Sequence, residues 1–139
     1  MADVFISYSM ETAEEIARDI AGALRSNGIS CWYAGEHTKL GVYAEHIVRA
    51  IEDCKVFLLV MNRAALHSHH VKTETAIAFY RLDNHEKITL VPFRVEECSS
   101  REDKTMYYYL ILQDIVEGCP LDAEHIQGLI DKIARILGD

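Results

Sequence analysis

Residues 56–61 read Val-Phe-Leu-Leu-Val-Met, six apolar side chains in succession with no polar alternation. The run is short for a buried helix and has the length of a strand. Successive side chains of a strand point to opposite faces, so this one has to be covered on both. Such a strand belongs at the centre of a parallel sheet, and parallel neighbours are joined by crossovers that are usually helical. The rest of the chain must therefore supply helices between strands.

The sequence alternates as that requires. Val4, Phe5 and Ile6 predict a first strand, and Thr12 with Glu15 three residues later predicts a capping box at the helix that follows. Ile16, Ile20, Ala21 and Leu24 recur at helical spacing until Asn27-Gly28 supplies a stop. Residues 29–33 predict the second strand, and Ala44, Ile47, Val48 and Ile51 the apolar stripe of a second helix. A third helix is expected from about Ser68, with Val71, Thr75, Ala78 and Leu82 on one side. Residues 88–93 predict a fourth strand, whose Pro92 cannot donate to a ladder and so belongs near the strand end or at an edge. Residues 95–112 show no clear period. Residues 113–116 suggest a fifth, outer strand, and Ile126, Leu129, Ile130, Ile133 and Leu137 a last amphipathic helix.

Five βα units in a row predict an α/β fold: a flavodoxin-like five-stranded parallel sheet, order 2-1-3-4-5, with helices on both faces. The 139 residues are expected to form one domain. In such sheets ligands bind beyond the carboxyl ends of the strands, at the switch point between strands 1 and 3. That directs attention to residues 7–11, 34–43 and 62–74.

Composition narrows the classes. Half the residues are hydrophobic and 26% are charged, the balance of a globular chain. The net charge of -8 argues against nucleic acid and anionic membrane as partners. No apolar run approaches the roughly 18 residues that span a bilayer. The Met-Ala-Asp start has no basic region, so no secretory signal is expected. Cys31, Cys54, Cys98 and Cys119 are widely spaced, which suits a reduced, cytoplasmic setting.

Within residues 7–11, Ser7, Tyr8 and Ser9 offer hydroxyls at a helix N-terminus, a place that attracts anions or is simply capped. No G-x-G-x-x-G and no G-x-x-x-x-G-K-[ST] occurs, which excludes the dinucleotide and P-loop readings. Glu74 lies three residues after Val71 and four before Ala78, on the inward stripe of the third helix. A carboxylate there is costly unless it is used or paired, Lys72 being the nearby cation. His67, His69 and His70 cluster, and His70 stands four residues before Glu74, but no second group of ligands completes a metal site, so none is expected. Between Trp32-Tyr33 and Tyr43, a loop flanked by Gly35 and Gly41 could set aromatic faces over a planar ring; equally, Trp32 could pack its strand on a helix. A phosphoreceiver is excluded because Met61-Asn62 stand where its aspartate is needed.

Taken in order, these segments resemble the TIR (Toll/interleukin-1 receptor) domain family, in its bacterial subset. Asp3-Val-Phe-Ile-Ser-Tyr-Ser9 is similar to the opening strand motif. Gly28-Ile-Ser-Cys-Trp-Tyr-Ala34, with Gly41 beyond, is similar to the second strand and BB loop. Ala50-Ile-Glu-Asp-Cys-Lys-Val-Phe57 is similar to the approach to strand 3, and Ser68-His-His-Val-Lys-Thr-Glu74 to the Ser-x-x-Val-x-x-Glu signature. The resemblance implies an enzyme that cleaves NAD⁺ as substrate, with no separate cofactor, to nicotinamide and ADP-ribose or a cyclic isomer. Glu74 occupies the position of the essential glutamate, which non-catalytic adaptors commonly lack. The substrate-binding residues so implied are Tyr8, Ser9, Trp32, Tyr33, Lys39, Tyr43, Ser68 and His70. His70 departs from the family's usual aromatic, and Gly35-Glu36-His37 from its Pro-Arg-Asp, which leaves Lys39 as the loop's cation.

The same resemblance implies self-association through the loop from Ala34 to Gly41, a fused or separate sensor, and a role in bacterial antiviral defence. The alternatives are a TIR–TIR interaction module without turnover, and a relative of the nucleoside deoxyribosyltransferases.

Overall fold

The computed structural model describes residues 2–37 and 43–138, apart from the side chain of Tyr43. Residues 56–61 form strand β3 (Val56–Met61), buried at every position. Its neighbours are β1 (Val4–Ser7) on one side and β4 (Thr89–Arg94) on the other, with β2 (Cys31–Tyr33) and β5 (Val116–Glu117) outermost. All pairings are parallel and the order is β2-β1-β3-β4-β5, as the sequence predicts. Among the described residues six α-helices connect and cover the strands: α1 (Glu14–Ser26), α2 (Tyr43–Asp53), α3 (Arg63–Leu66), α4 (His69–Asp83), α5 (Lys104–Leu110) and α6 (Ala123–Gly138).

Strand parity divides the core in two. Val4, Ile6, Val56, Leu58 and Val60 point to the face covered by α1 and α6, where Ile20, Leu24, Leu129 and Ile133 meet them. Phe5, Phe57, Leu59 and Met61 point to the other face, against Ile51, Val71, Ala78, Met106 and Leu110 of α2, α4 and α5. Phe5 stacks on Phe57 at 5.6 Å and on Trp32 at 5.1 Å between ring centroids. Fully burying each large apolar side chain contributes about 1.5–3 kcal/mol. None of the described helices is long and apolar enough to cross a membrane.

Helix α1 ends at Ser26 with Asn27 as its C-cap, and Gly28 follows with φ of +76°, the left-handed conformation that Asn27-Gly28 predicts. Pro92 is tolerated because β5 pairs only with Phe93 and Arg94, leaving the outer side of β4 without a strand partner at residue 92.

Two expectations are corrected. The capping box at Thr12 does not form: α1 begins at Glu14 with no side-chain cap. The Ser9 carbonyl accepts from the amides of Thr12 and Ala13 instead, and the Thr12 hydroxyl accepts from Asn62 Nδ2 at 3.1 Å. The fifth strand is Val116–Glu117 rather than residues 113–116, because the turn closing α5 still holds the Gln113 amide on the Leu110 carbonyl. The unreadable stretch contains α5, capped by Asp103, and the short helix α3, capped by Asn62, was not anticipated either.

Candidate active site

Strand β1 lies between β2 and β3, so the chain leaves β1 and β3 in different directions and a cleft opens beyond their carboxyl ends. Its volume is about 640 Å³. Phe5 and Ile6 lie at its base, residues 8–11 form one wall, and residues 67–70 with Glu74 form the opposite wall.

Helix α4 places the acidic group. Ser68 is its N-cap, its Oγ accepting from the Val71 amide at 3.3 Å. Val71, Thr75 and Ala78 turn inward, and the Thr75 hydroxyl donates to the Val71 carbonyl at 2.7 Å. Glu74 stands beside this stripe and is half-buried in the cleft wall. Its Oε1 accepts from the Ser7 hydroxyl at 2.7 Å. Burial pushes the Glu74 carboxyl up to about 7, against a smaller downward pull from the Ser7 hydrogen bond. Lys72, the cation that could have paired it, is held by Asp103 at 2.6 Å. The site therefore carries a carboxylate with no cation beside it among the described residues.

The structure brings Tyr8, Ser9, Ser68, His70 and Glu74 into this one cavity. Tyr8 is buried, and its hydroxyl donates to Glu14 and accepts from the Gly35 amide at 3.0 Å. Ser9 is buried with its carbonyl at the start of α1. His70 is exposed at the rim, edge-on to His69 at 6.3 Å.

Trp32 and Tyr33 do not line the cavity. Trp32 lies behind Phe5 and stacks on His37 at 4.6 Å. Tyr33 turns to the opposite face of the sheet, buried in the α1-side core beneath the Arg25 guanidinium. Register explains both: Phe5 pairs with Trp32 and Ile6 with Tyr33. Lys39, the Tyr43 side chain and the loop from residue 38 to Gly41 lie outside the described residues. The part of that loop that is described is tied to α1. Arg25 Nη2 meets Glu36 Oε1 at 2.5 Å, and Gly35 packs so closely on the Glu14 carboxylate that a Cβ there would displace that flexible side-chain end.

Of the other cavity residues, Met10, Glu11, Ala34, Ala64, His67 and His69 fall in the segments 7–11, 34–43 and 62–74, whereas sequence reasoning missed Ile47, and it missed Ser7 as the hydrogen-bond donor to Glu74. For Ser7 the signal was present: it shares the parity of Phe5 and ends a buried strand, where a hydroxyl needs a partner. Ile47 carries no such mark.

A carboxylate in a partly apolar cleft acts strongly on nearby positive charge, because little water screens it. It can stabilise a developing cation or attack it.

Comparison with known proteins adds three observations. Residues 4–127 match the family model of the TIR domain. A 2′ cyclic ADP-D-ribose synthase of Bacteroides thetaiotaomicron is 46% identical over 39 residues, a segment spanning 28% of this chain and 14% of that protein's length. Among solved structures, the TIR domain of the Toll-related receptor TRR-2 from Hydra magnipapillata superposes with a TM-score of 0.74 at 18% identity, over 98% of both chains. A TIR-STING receptor from C. gigas gives 0.70 at 22% identity, over 96% of this chain and 40% of that one. The TIR domains of the activated Roq1 resistosome give 0.72 at 14%, over 96% and 99%. At these identities the structural likeness carries the fold.

Proposed function

The chain belongs to the TIR domain family, and on that premise we propose that it is an NAD⁺ nucleosidase acting on the bond between nicotinamide and ribose. The observation that supports this most is Glu74: a half-buried carboxylate in the switch-point cavity, held by a hydroxyl and not neutralised by a cation among the described residues. The partial match to a cyclic ADP-ribose synthase points the same way.

The chemistry needs little else. Nicotinamide in NAD⁺ is a pyridinium, so when the glycosidic bond breaks its electron pair passes to the ring nitrogen and a neutral base departs. No general acid is required, unlike ordinary glycoside hydrolysis with its two carboxyl groups. The ribose is left with developing positive charge, which the Glu74 carboxylate stabilises or captures. Water then adds and loses its proton to solvent, giving ADP-ribose, or a nucleophile of the same molecule closes a cyclic isomer. Ser68, Tyr8, Ser9 and His70 are the substrate contacts in this reading, and Lys39 and Tyr43 are candidates from the loop. Trp32 supports the Phe5 floor from behind. In the cell we place the reaction in the cytoplasm, in a bacterial antiviral response, with other TIR domains packing through the loop from Ala34 to Gly41 and a fused or separate sensor starting the assembly.

The test is nicotinamide release from NAD⁺ at high protein concentration, wild type beside Glu74→Ala, with products separated by chromatography. Wild type is expected to release nicotinamide, and the variant to lose at least about 100-fold of the rate. Equal release by both would overturn the role of Glu74. No release by wild type, even when clustered on a scaffold, would overturn the enzyme and favour an interaction module without turnover.

A further inference from the structure

We propose that Ser7 is a positioning residue for Glu74, its hydroxyl fixing one carboxylate oxygen so that the other serves the cavity. This rests on the reading of Glu74 as the reacting carboxylate.

Ser7 is 1% exposed, between apolar neighbours: Phe5 shares its face and Leu59 is its register partner on β3. An apolar residue would fill this place at no polar cost, whereas a buried hydroxyl must recover its lost hydration through a hydrogen bond. Its bond goes to Glu74 Oε1 at 2.7 Å, from an element 67 residues distant in sequence. The partner's chemistry matters as much as its position. A lysine or arginine here would hold the carboxylate equally well but would cancel its charge, and a neutral hydroxyl holds it without doing so. The nearest lysine on the helix, Lys72, is diverted to Asp103.

Among the described residues, the other titratable groups lining the cavity with Glu74 are Tyr8 and Glu11 from the segment after β1, and His67, His69 and His70 from the approach to α4 and its first turn. The elements packed on α4 from the sheet and from α2 and α5 turn apolar side chains toward it, apart from Asp103 at the start of α5, which holds Lys72. Ser7 is the hydrogen bond to Glu74 among the described residues, and it favours the ionised form.

Ser7→Ala and the size-matched Ser7→Cys separate this role from packing. Glutamate labelled with ¹³C at the carboxyl carbon is titrated by NMR, with the Glu74 signal assigned by its loss in Glu74→Gln. The Glu74 midpoint is expected to rise by about one pH unit in Ser7→Ala and by less in Ser7→Cys. In turnover, kcat at neutral pH is expected to fall about 10-fold or more in Ser7→Ala, with KM within about twofold and the acid limb of the pH profile displaced upward to match. A midpoint equal to wild type in both variants would overturn the proposal. If wild type releases no nicotinamide while the midpoint still moves, the NAD⁺ reading fails and the coupling of Ser7 to Glu74 stands.

Discussion

A carboxyl group that holds its proton more tightly in the folded chain than in the unfolded one opposes folding once the medium is basic enough to ionise it. Glu74 is such a group, raised from 4.5 to about 7 by burial. Below pH 4.5 it is protonated in both states and costs nothing. As pH rises from 4.5 toward 7 the unfolded chain ionises first, so the native state loses relative stability, and above 7 the loss is complete. Glu74→Gln keeps an oxygen for the Ser7 hydroxyl and has no charge to desolvate. It is expected to stabilise the chain at pH 8 by about 1–2 kcal/mol, a figure reduced for the group's partial exposure. Urea denaturation at pH 8 and at pH 4.5 measures this, and a gain that persists unchanged at the lower pH would refute it. In the proposed reaction activity runs the other way, since the ionised form is the one that reading uses: the site would give up stability for a charge available to substrate.

At the scale of elements, three loops meet around the cavity and each is tied to another. Asn62 caps α3 by accepting from the Ala65 amide at 2.8 Å and reaches across to the Thr12 hydroxyl, joining the exits of β1 and β3. Tyr8 joins the β1 exit to α1 through Glu14 and to the β2 exit through Gly35. A Cβ at Gly35 would meet the Glu14 carboxylate and displace it from its contact with Tyr8. Gly35→Ala should push the Glu14 carboxylate aside, weaken the Tyr8 contacts, and lower stability by about 1 kcal/mol or less in thermal or urea unfolding. The exposed Arg25–Glu36 pair is a weaker tie, worth under about 1 kcal/mol and screened by salt. An unchanged melting temperature for Gly35→Ala would show that Glu14 is not held where the Tyr8 hydroxyl needs it.

For the molecule as a whole, the two-sided sheet makes core and site share residues. Phe5 is 1% exposed, stacks on Trp32 and Phe57, and lies at the base of the cavity. Phe5→Ala is expected to cost about 3–5 kcal/mol, more than any substitution at the rim, because it opens a void beneath the site. Differential scanning calorimetry reads this directly, and a cost below that of Gly35→Ala would mean the stack contributes little. The sheet order, β3 as the central strand, and the positions of α1, α2, α4 and α6 were legible because periodicity reports which faces are buried. The short helices α3 and α5 and the bounds of β5 were not, since one or two turns or a two-residue strand carry little period and take their shape from their neighbours.

The site divides along the same line. Glu74, Ser68 and His70 sit on one helix at fixed spacing, and Tyr8 and Ser9 follow directly on a strand end, so local geometry alone carries all of them to the same edge of the sheet. Sequence determined that much: a parallel sheet, a switch point, and a carboxylate beside it. What only the tertiary structure decided is which groups face one another across the gap. The pairing of Ser7 with Glu74, the diversion of Lys72 to Asp103, and the placing of Trp32 and Tyr33 out of the cavity all follow from strand register and helix docking. Contacts of that kind join residues far apart in the chain, and a one-residue slip in register would exchange every one of them.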